Sequence, residues 1–148
     1  MSARFYEQEV KSALKDKRKL SAYLDKLAAT HLEHVKKISL NYIFCDDAFL
    51  LGINKEYLDH DTFTDIITFD LSDGPKDLTG EIYVSVERVK ENAAKFKTTY
   101  IDELHRVIFH GALHLCGFKD KKEADQKVMR QMENKCLEEY KAEKKQDK

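Results

Sequence analysis

The sequence predicts a single α+β domain with one mixed, four-stranded sheet and a metal-binding helix that ends in a glycine turn. Three observations carry that prediction. Segments with strand character dominate the first half of the 148 residues, and segments with helical periodicity fill the second. No Pro/Gly/Ser-rich linker and no internal repeat divides the chain, whose length is ordinary for one domain. Finally, His110-Gly-Ala-Leu-His114-Leu-Cys-Gly117 sets two histidines one helical turn apart and a glycine three residues later.

The elements follow in order. A short edge strand fits ARFYEQ near the start. Lys19 to His34 carries Leu20, Tyr23, Leu24 and Leu27 at helical spacing. Ile38 to Cys45 is rich in β-branched and aromatic residues, which suit a pleated, half-buried surface. Asp46 is placed to cap a helix through Phe49 and Leu50 to about Lys55. Asp65 to Asp70 reads as a strand, and so does Gly80 to Val86, where Ile82, Val84 and Val86 alternate with Glu81, Tyr83 and Ser85. Between them SDGPKDLTG, with the sole proline, reads as a loop. Helices are predicted over Glu87 to Lys97, from near Tyr100 through the histidines, and over Lys122 to Tyr140 with Val128, Met132 and Leu137 as its apolar stripe. The polar tail, about residues 141–148, is expected to be disordered.

Composition narrows the function. Hydrophobic residues make up 42% of the chain, enough for a core without disulfide staples. The net charge is −1, so any contact with phosphates needs a local basic patch. Three cysteines, Cys45, Cys116 and Cys136, form no CxxC pair, which argues against a disulfide framework and fits a reducing compartment. The start lacks an apolar signal region, and no apolar run approaches the roughly 20 residues of a membrane span. A cytoplasmic protein without membrane contact is expected.

Histidines four apart on a helix project the same way, so one ion can take both imidazoles. Gly117 can adopt positive φ, end the helix and turn the chain back. Asp120 is the only strong ligand type between Lys119 and Lys122. Two histidines, a carboxylate and an open position describe a catalytic zinc site holding one Zn²⁺. With six histidines in the chain, the spacing alone is weak evidence. A helical wheel at about 100° per residue strengthens it. Ile101, Leu104, Ile108, Ala112 and Leu115 gather on one stripe, while His110 and His114 fall away from it. The alternative is two helix histidines that bind nothing.

The string HGALHLCGFKD resembles the HGxLHLxGYDH signature of the YbeY family, bacterial endoribonucleases of ribosomal RNA maturation. Asn54-Lys-Glu-Tyr57, Asp61 and Phe63-Thr-Asp-Ile-Ile-Thr-Phe69 resemble the family's N-x-x-Y…D-x-x-TDVLSF stretch, and Gly80-Glu-Ile-Tyr-Val-Ser85 resembles its GDIxIS strand. The resemblance spans about Ile38 to Glu123. It implies a metal helix over a sheet, a zinc ion, and cleavage of single-stranded RNA. The implied partners are ribosomal RNA, ribosomal proteins and the small ribosomal subunit.

Two departures from the family pattern matter. The family's third ligand is usually histidine, and Asp120 stands there. A carboxylate leaves the ion at +1 rather than +2, so its bound water is acidified less. A higher pH optimum, or a preference for a harder metal such as manganese, is expected relative to Asp120→His. At Leu58 the family has an arginine thought to contact phosphate; His60, Lys55 and Arg106 are candidates to replace its charge. The simpler reading of Arg106 is a solvated helix arginine, and that of His60 a loop histidine. Gly111 holds the position where an HExxH metalloprotease carries its glutamate, which weakens a metallopeptidase reading. Glu103, seven residues before His110 on the same face, is a candidate base, an orienting residue, or simply exposed. Thr64, Asp65 and Thr68 are candidates for bonding substrate or backbone, and Cys116 is expected to be a small buried side chain. A ribosome-maturation binding factor whose zinc is structural remains the alternative from a different class.

Overall fold

The computed structural model describes residues 1–58 and 64–146. Its sheet holds β1 (Ala3–Glu7), β2 (Lys37–Cys45), β3 (Ile66–Asp70) and β4 (Asp77–Ser85). The spatial order is β1-β2-β4-β3. β1, β2 and β4 run parallel, while β3 closes the edge antiparallel to β4 with Ile66 opposite Val84 and Thr68 opposite Ile82. The sheet is therefore mixed. Parallel neighbours need long crossovers, and the helices supply them: α1 (Lys17–His31) between β1 and β2, and α2 (Asp47–Leu58), followed by β3, between β2 and β4.

Capping follows the sequence. The Asp46 carboxylate accepts the Phe49 N–H at 2.8 Å and starts α2. Ser85 caps α3 (Val86–Lys95) through the Arg88 N–H, and Thr99 caps α4 (Tyr100–Leu115) through the Asp102 N–H. After α4 a last helix, α5, runs from Glu123 to Gln146.

Period two divides the sheet residues between two faces. Leu40, Tyr42 and Phe44 of β2, with Leu78, Ile82 and Val84 of β4, meet Leu24, Leu104, Ile108, Phe109, Leu113 and Tyr140 in the main core. On the opposite face Cys45, Leu50 and Ile67 form a small second cluster beneath α2, with Phe69 and Tyr83 against it. The buried Tyr42 hydroxyl donates to the Ile108 carbonyl at 2.8 Å and ties α4 to the central strand. All three cysteines are free; Cys45 and Cys136 are buried, and Cys116 is half-buried rather than fully enclosed. Among the described residues no helix is long and apolar enough to cross a membrane.

Three sequence expectations need correction. Ile101, in the first turn of α4, is 38% exposed, and the buried face of the helix begins at Glu103 and Leu104. Val128 is also exposed; the inward face of α5 is Met129, Glu133, Cys136, Leu137 and Tyr140. The polar tail is not disordered up to Gln146 but continues α5. Lys141 pairs with Asp102, Lys144 with Asp16, and Glu143 with Lys26, so charges that read as a solvated tail tether the helix to α4 and α1.

Candidate active site

α4 crosses the sheet at a glycine. A Cβ at Gly111 would stand 3.0 Å from Ile82 Cγ2 and 3.1 Å from Ile66 Cδ1. This position faces the sheet, which gives the physical reason that no HExxH glutamate occupies it: a carboxylate there would be pressed between two isoleucines, away from the histidines. His110 and His114 lie off that line and open into a cleft of about 690 Å³. The end of α2, β3, α3, α4 and the first half of α5 line the cleft, and its lining includes Thr64, Asp65, Thr68, Glu103, Arg106 and Asp120.

Gly117 has φ +105° and ends the helix as the sequence predicts. The Phe118 N–H bonds the Leu113 carbonyl and the Gly117 N–H bonds that of His114, so the chain reverses within one turn. Two consequences reach the histidines. The Phe118 carbonyl accepts His114 Nδ1–H at 3.1 Å, leaving the lone pair on Nε2. Asp120 returns beside the helix, with Oδ2 3.2 Å from His110 Nε2. The two imidazole planes lie 3° from parallel, with centroids 6.4 Å apart.

Glu133, on α5, is the residue that sequence reasoning missed. It is 5% exposed, and its Oε2 lies 2.7 Å from His110 Nδ1. A signal was present in the sequence: an acid among Met129, Met132, Cys136 and Leu137 sits on an apolar helix face and needs a partner there. Arg106 and Arg130 also reach Glu133, at 3.3 and 3.9 Å.

The other expected residues fall as follows. Glu103 lines the cleft but is not exposed; it is 4% accessible and 3.8 Å from Arg106. Arg106 is half-buried, engaged by Glu103, Glu133 and Asn134, rather than solvated. Thr68 lies on the strand face that carries Ile82's partner position, toward α4, and lines the cleft with Leu58. His60 lies outside the described residues. Asp65 accepts from Asn92 of α3 at 3.4 Å.

Charge in the cleft follows from burial and partners. Burial works against the His110 cation, yet the hydrogen bond and charge of Glu133, with Asp120 and Asp65, raise its pKa above the ordinary value. Burial raises the Asp65 carboxyl, with His110 partly opposing, and it raises Glu103 against the pull of Arg106.

Among the described residues no three His, Cys, Asp or Glu side chains cage a metal as they stand: Asp120 closes on His110, while His114 is one turn away. The donor set nonetheless fits a divalent cation. Both histidines have Nδ1 anchored by an oxygen, which leaves Nε2 as the ligating atom. Two ligands at about 2.0–2.1 Å from a tetrahedral ion stand about 3.3 Å apart, and His110 Nε2 and Asp120 Oδ2 are at 3.2 Å.

Residues 4–141 match the family model described as endoribonuclease YbeY. The chain belongs to the YbeY family. An endoribonuclease YbeY of Flavobacterium psychrophilum is 48% identical over 121 residues, covering 81% of this chain and 86% of its own length. One from Flavobacterium johnsoniae is 50% identical over 114 residues, 76% of this chain and 81% of its own. The solution structure of TM1509 from Thermotoga maritima superposes with a TM-score of 0.62 at 28% identity, covering 98% of this chain and 93% of that one. The α+β architecture and the cleft thus sit on a YbeY-like fold.

Proposed function

We propose that this protein is a metal-dependent endoribonuclease that cleaves single-stranded RNA, with one zinc ion held by His110, His114 and Asp120. Its hydrolase class follows from the family to which it belongs. The observation that carries the metal assignment is the 3.2 Å approach of Asp120 to His110 beside a parallel His114, each histidine anchored through Nδ1. Ribosomal RNA is the substrate class that suits the family, with ribosomal proteins or the small subunit as partners. Three free cysteines are consistent with work in the cytoplasm.

A zinc ion held by His110, His114 and Asp120 would supply Lewis-acid chemistry for hydrolysis of a phosphodiester. The chain's own residues do the rest. Glu133 fixes the His110 ring and its tautomer, and the Phe118 carbonyl does the same for His114. Arg106 borders the cleft but spends its charge on Glu103 and Glu133, so it holds those carboxylates in place rather than replacing the arginine absent at Leu58. Lys121 and Arg130 line the same cleft and supply positive charge for a phosphate. Asp65 and Glu103, whose buried carboxyls are shifted toward holding a proton, are the groups placed to accept one from water or from a substrate 2′-hydroxyl.

The test is metal analysis of the purified protein followed by cleavage of a single-stranded RNA by wild type and His114→Ala. The expected result is one zinc per chain, with cleavage lost in the variant. Bound zinc with equal cleavage by both proteins would instead favour a maturation factor whose metal is structural.

A further inference from the structure

One large apolar ring in the cleft has no part in the chemistry above. Phe96 lines the cleft yet is 53% exposed. It is the one phenyl ring among the described lining residues. Burial in the core does not account for it, and in the cleft wall an exposed ring offers a flat apolar face to whatever occupies the cleft.

Hydrogen bonds fix the backbone that carries this ring. Phe96 is the C-cap of α3, with its N–H on the Asn92 carbonyl at 2.9 Å. Lys97 then takes φ 57°, and the Thr98 N–H reaches the Ala93 carbonyl at 3.0 Å, so the helix is closed off immediately after the ring. Asn92, one turn earlier on the same face, also lines the cleft and is bonded to Asp65. The Lys95 ammonium stands 5.6 Å from the ring centroid. Lys95 is exposed and stands outside the cleft lining, so a cation neighbours the flat surface. Proteins that take single strands use this combination: aromatic faces for bases and positive charge for the backbone.

We infer that Phe96 is a stacking platform for one nucleobase of a single-stranded RNA whose scissile phosphate lies at His110, His114 and Asp120. Phe96 is a positioning residue; it touches no reacting atom. Any base can stack, so this contact selects an unpaired nucleotide rather than a sequence. A base held in a duplex is stacked on its neighbours and has no face to offer, and single-strand preference is thereby built into the cleft wall. The inference rests on the endoribonuclease reading.

The experiment uses a short single-stranded RNA carrying one abasic nucleotide at each position in turn, cut by wild type, Phe96→Ala and Phe96→Trp. Wild type is expected to lose about tenfold or more in kcat/KM at one abasic position near the cut site. Phe96→Ala loses a similar factor on intact RNA, mainly in KM, shows no further loss at that position, and keeps the wild-type melting temperature. Phe96→Trp restores cleavage. The inference is overturned if Phe96→Ala cuts intact RNA within twofold of wild type, or if it is impaired yet keeps the full abasic sensitivity. Binding of the same RNA with 2′-O-methyl groups is measured in parallel. No cleavage by wild type, with binding that weakens in Phe96→Ala, would sink the nuclease reading and keep the platform; equal binding would sink the platform.

Discussion

α4 carries two histidines five residues apart that meet opposite fates. His105 packs on its inner side against Tyr140, with ring centroids 5.1 Å apart, and against Phe109 at 6.1 Å. His110 faces the cleft between Glu133 and Asp120. Burial disfavours the cation at both sites. At His105 nothing adequate opposes it, and the pKa falls to about 4; at His110 the carboxylates more than offset it, and the pKa rises. Depth therefore does not decide whether a histidine in this fold is a charge-bearing functional group. The decisive part is a carboxylate from another element in direct contact with the ring, supplied at His110 by α5 and by the turn after Gly117.

The strongest way to break this contrast is to remove the carboxylate. Glu133→Ala is expected to lower zinc affinity and RNA cleavage by about 10–100-fold, as for other groups that orient ligating histidines. The gentler Glu133→Gln keeps the shape and removes the charge. Proton NMR titration of the metal-free protein should then show the His110 pKa falling toward that of His105. An unchanged value would mean that Asp120 or Asp65, not Glu133, holds the proton there.

The opposite side of the contrast shows in stability. His105 is accepted by the fold in its neutral form, and the unfolded chain takes its proton first, near the ordinary 6.5. Its contribution is whole above pH 6.5 and is lost as pH falls from 6.5 to about 4. At 1.36 kcal/mol per pH unit the ceiling is about 3 kcal/mol. Urea unfolding at pH 7 and 4.5 measures it. Wild type should lose more stability between the two than His105→Phe, which keeps a flat ring and cannot ionise. Lys144, Lys141, Asp102 and Asp16 also act on His105, with opposing signs. Parallel losses in the two proteins would assign the acid sensitivity to those or to other groups.

What the sequence disclosed has the same boundary. Local signals located every strand and helix: apolar spacing, β-branched composition and the capping Asp46 are each written in the element's own residues, although Asp77–Thr79, the start of β4, reads as loop; Leu40, Tyr42 and Phe44 show the period-two rule within one strand. The histidine pair and the Gly117 turn were legible for the same reason, since spacing and φ are local properties. Partners drawn from distant segments were not legible. Glu133 lies 23 residues from His110, and no pattern within either helix states that the two meet. Arg106 reads as a surface residue because its partners Glu133 and Asn134 lie on α5, and Glu103 is held in turn by Arg106. The ordered end of α5 escaped notice likewise: Asp102 and Asp16, which hold its lysines, are far away in the chain.

The smallest expected effect tests the turn that brings Asp120 to His110. At φ +105° a Cβ is strained, although nothing lies within 4 Å of it, so space is not the obstacle. Gly117→Ala is therefore expected to cost only about 1 kcal/mol of stability, set by backbone conformation alone. Cleavage should fall by more than that cost implies, because relaxing the turn moves two groups together. The Phe118 carbonyl would leave His114 Nδ1, and Asp120 would leave His110. Thermal unfolding gives the first quantity and steady-state cleavage the second. If the loss of activity only tracks the loss of folded protein, the bend merely ends a helix, and the carboxylate that distinguishes His110 from His105 is Glu133 alone.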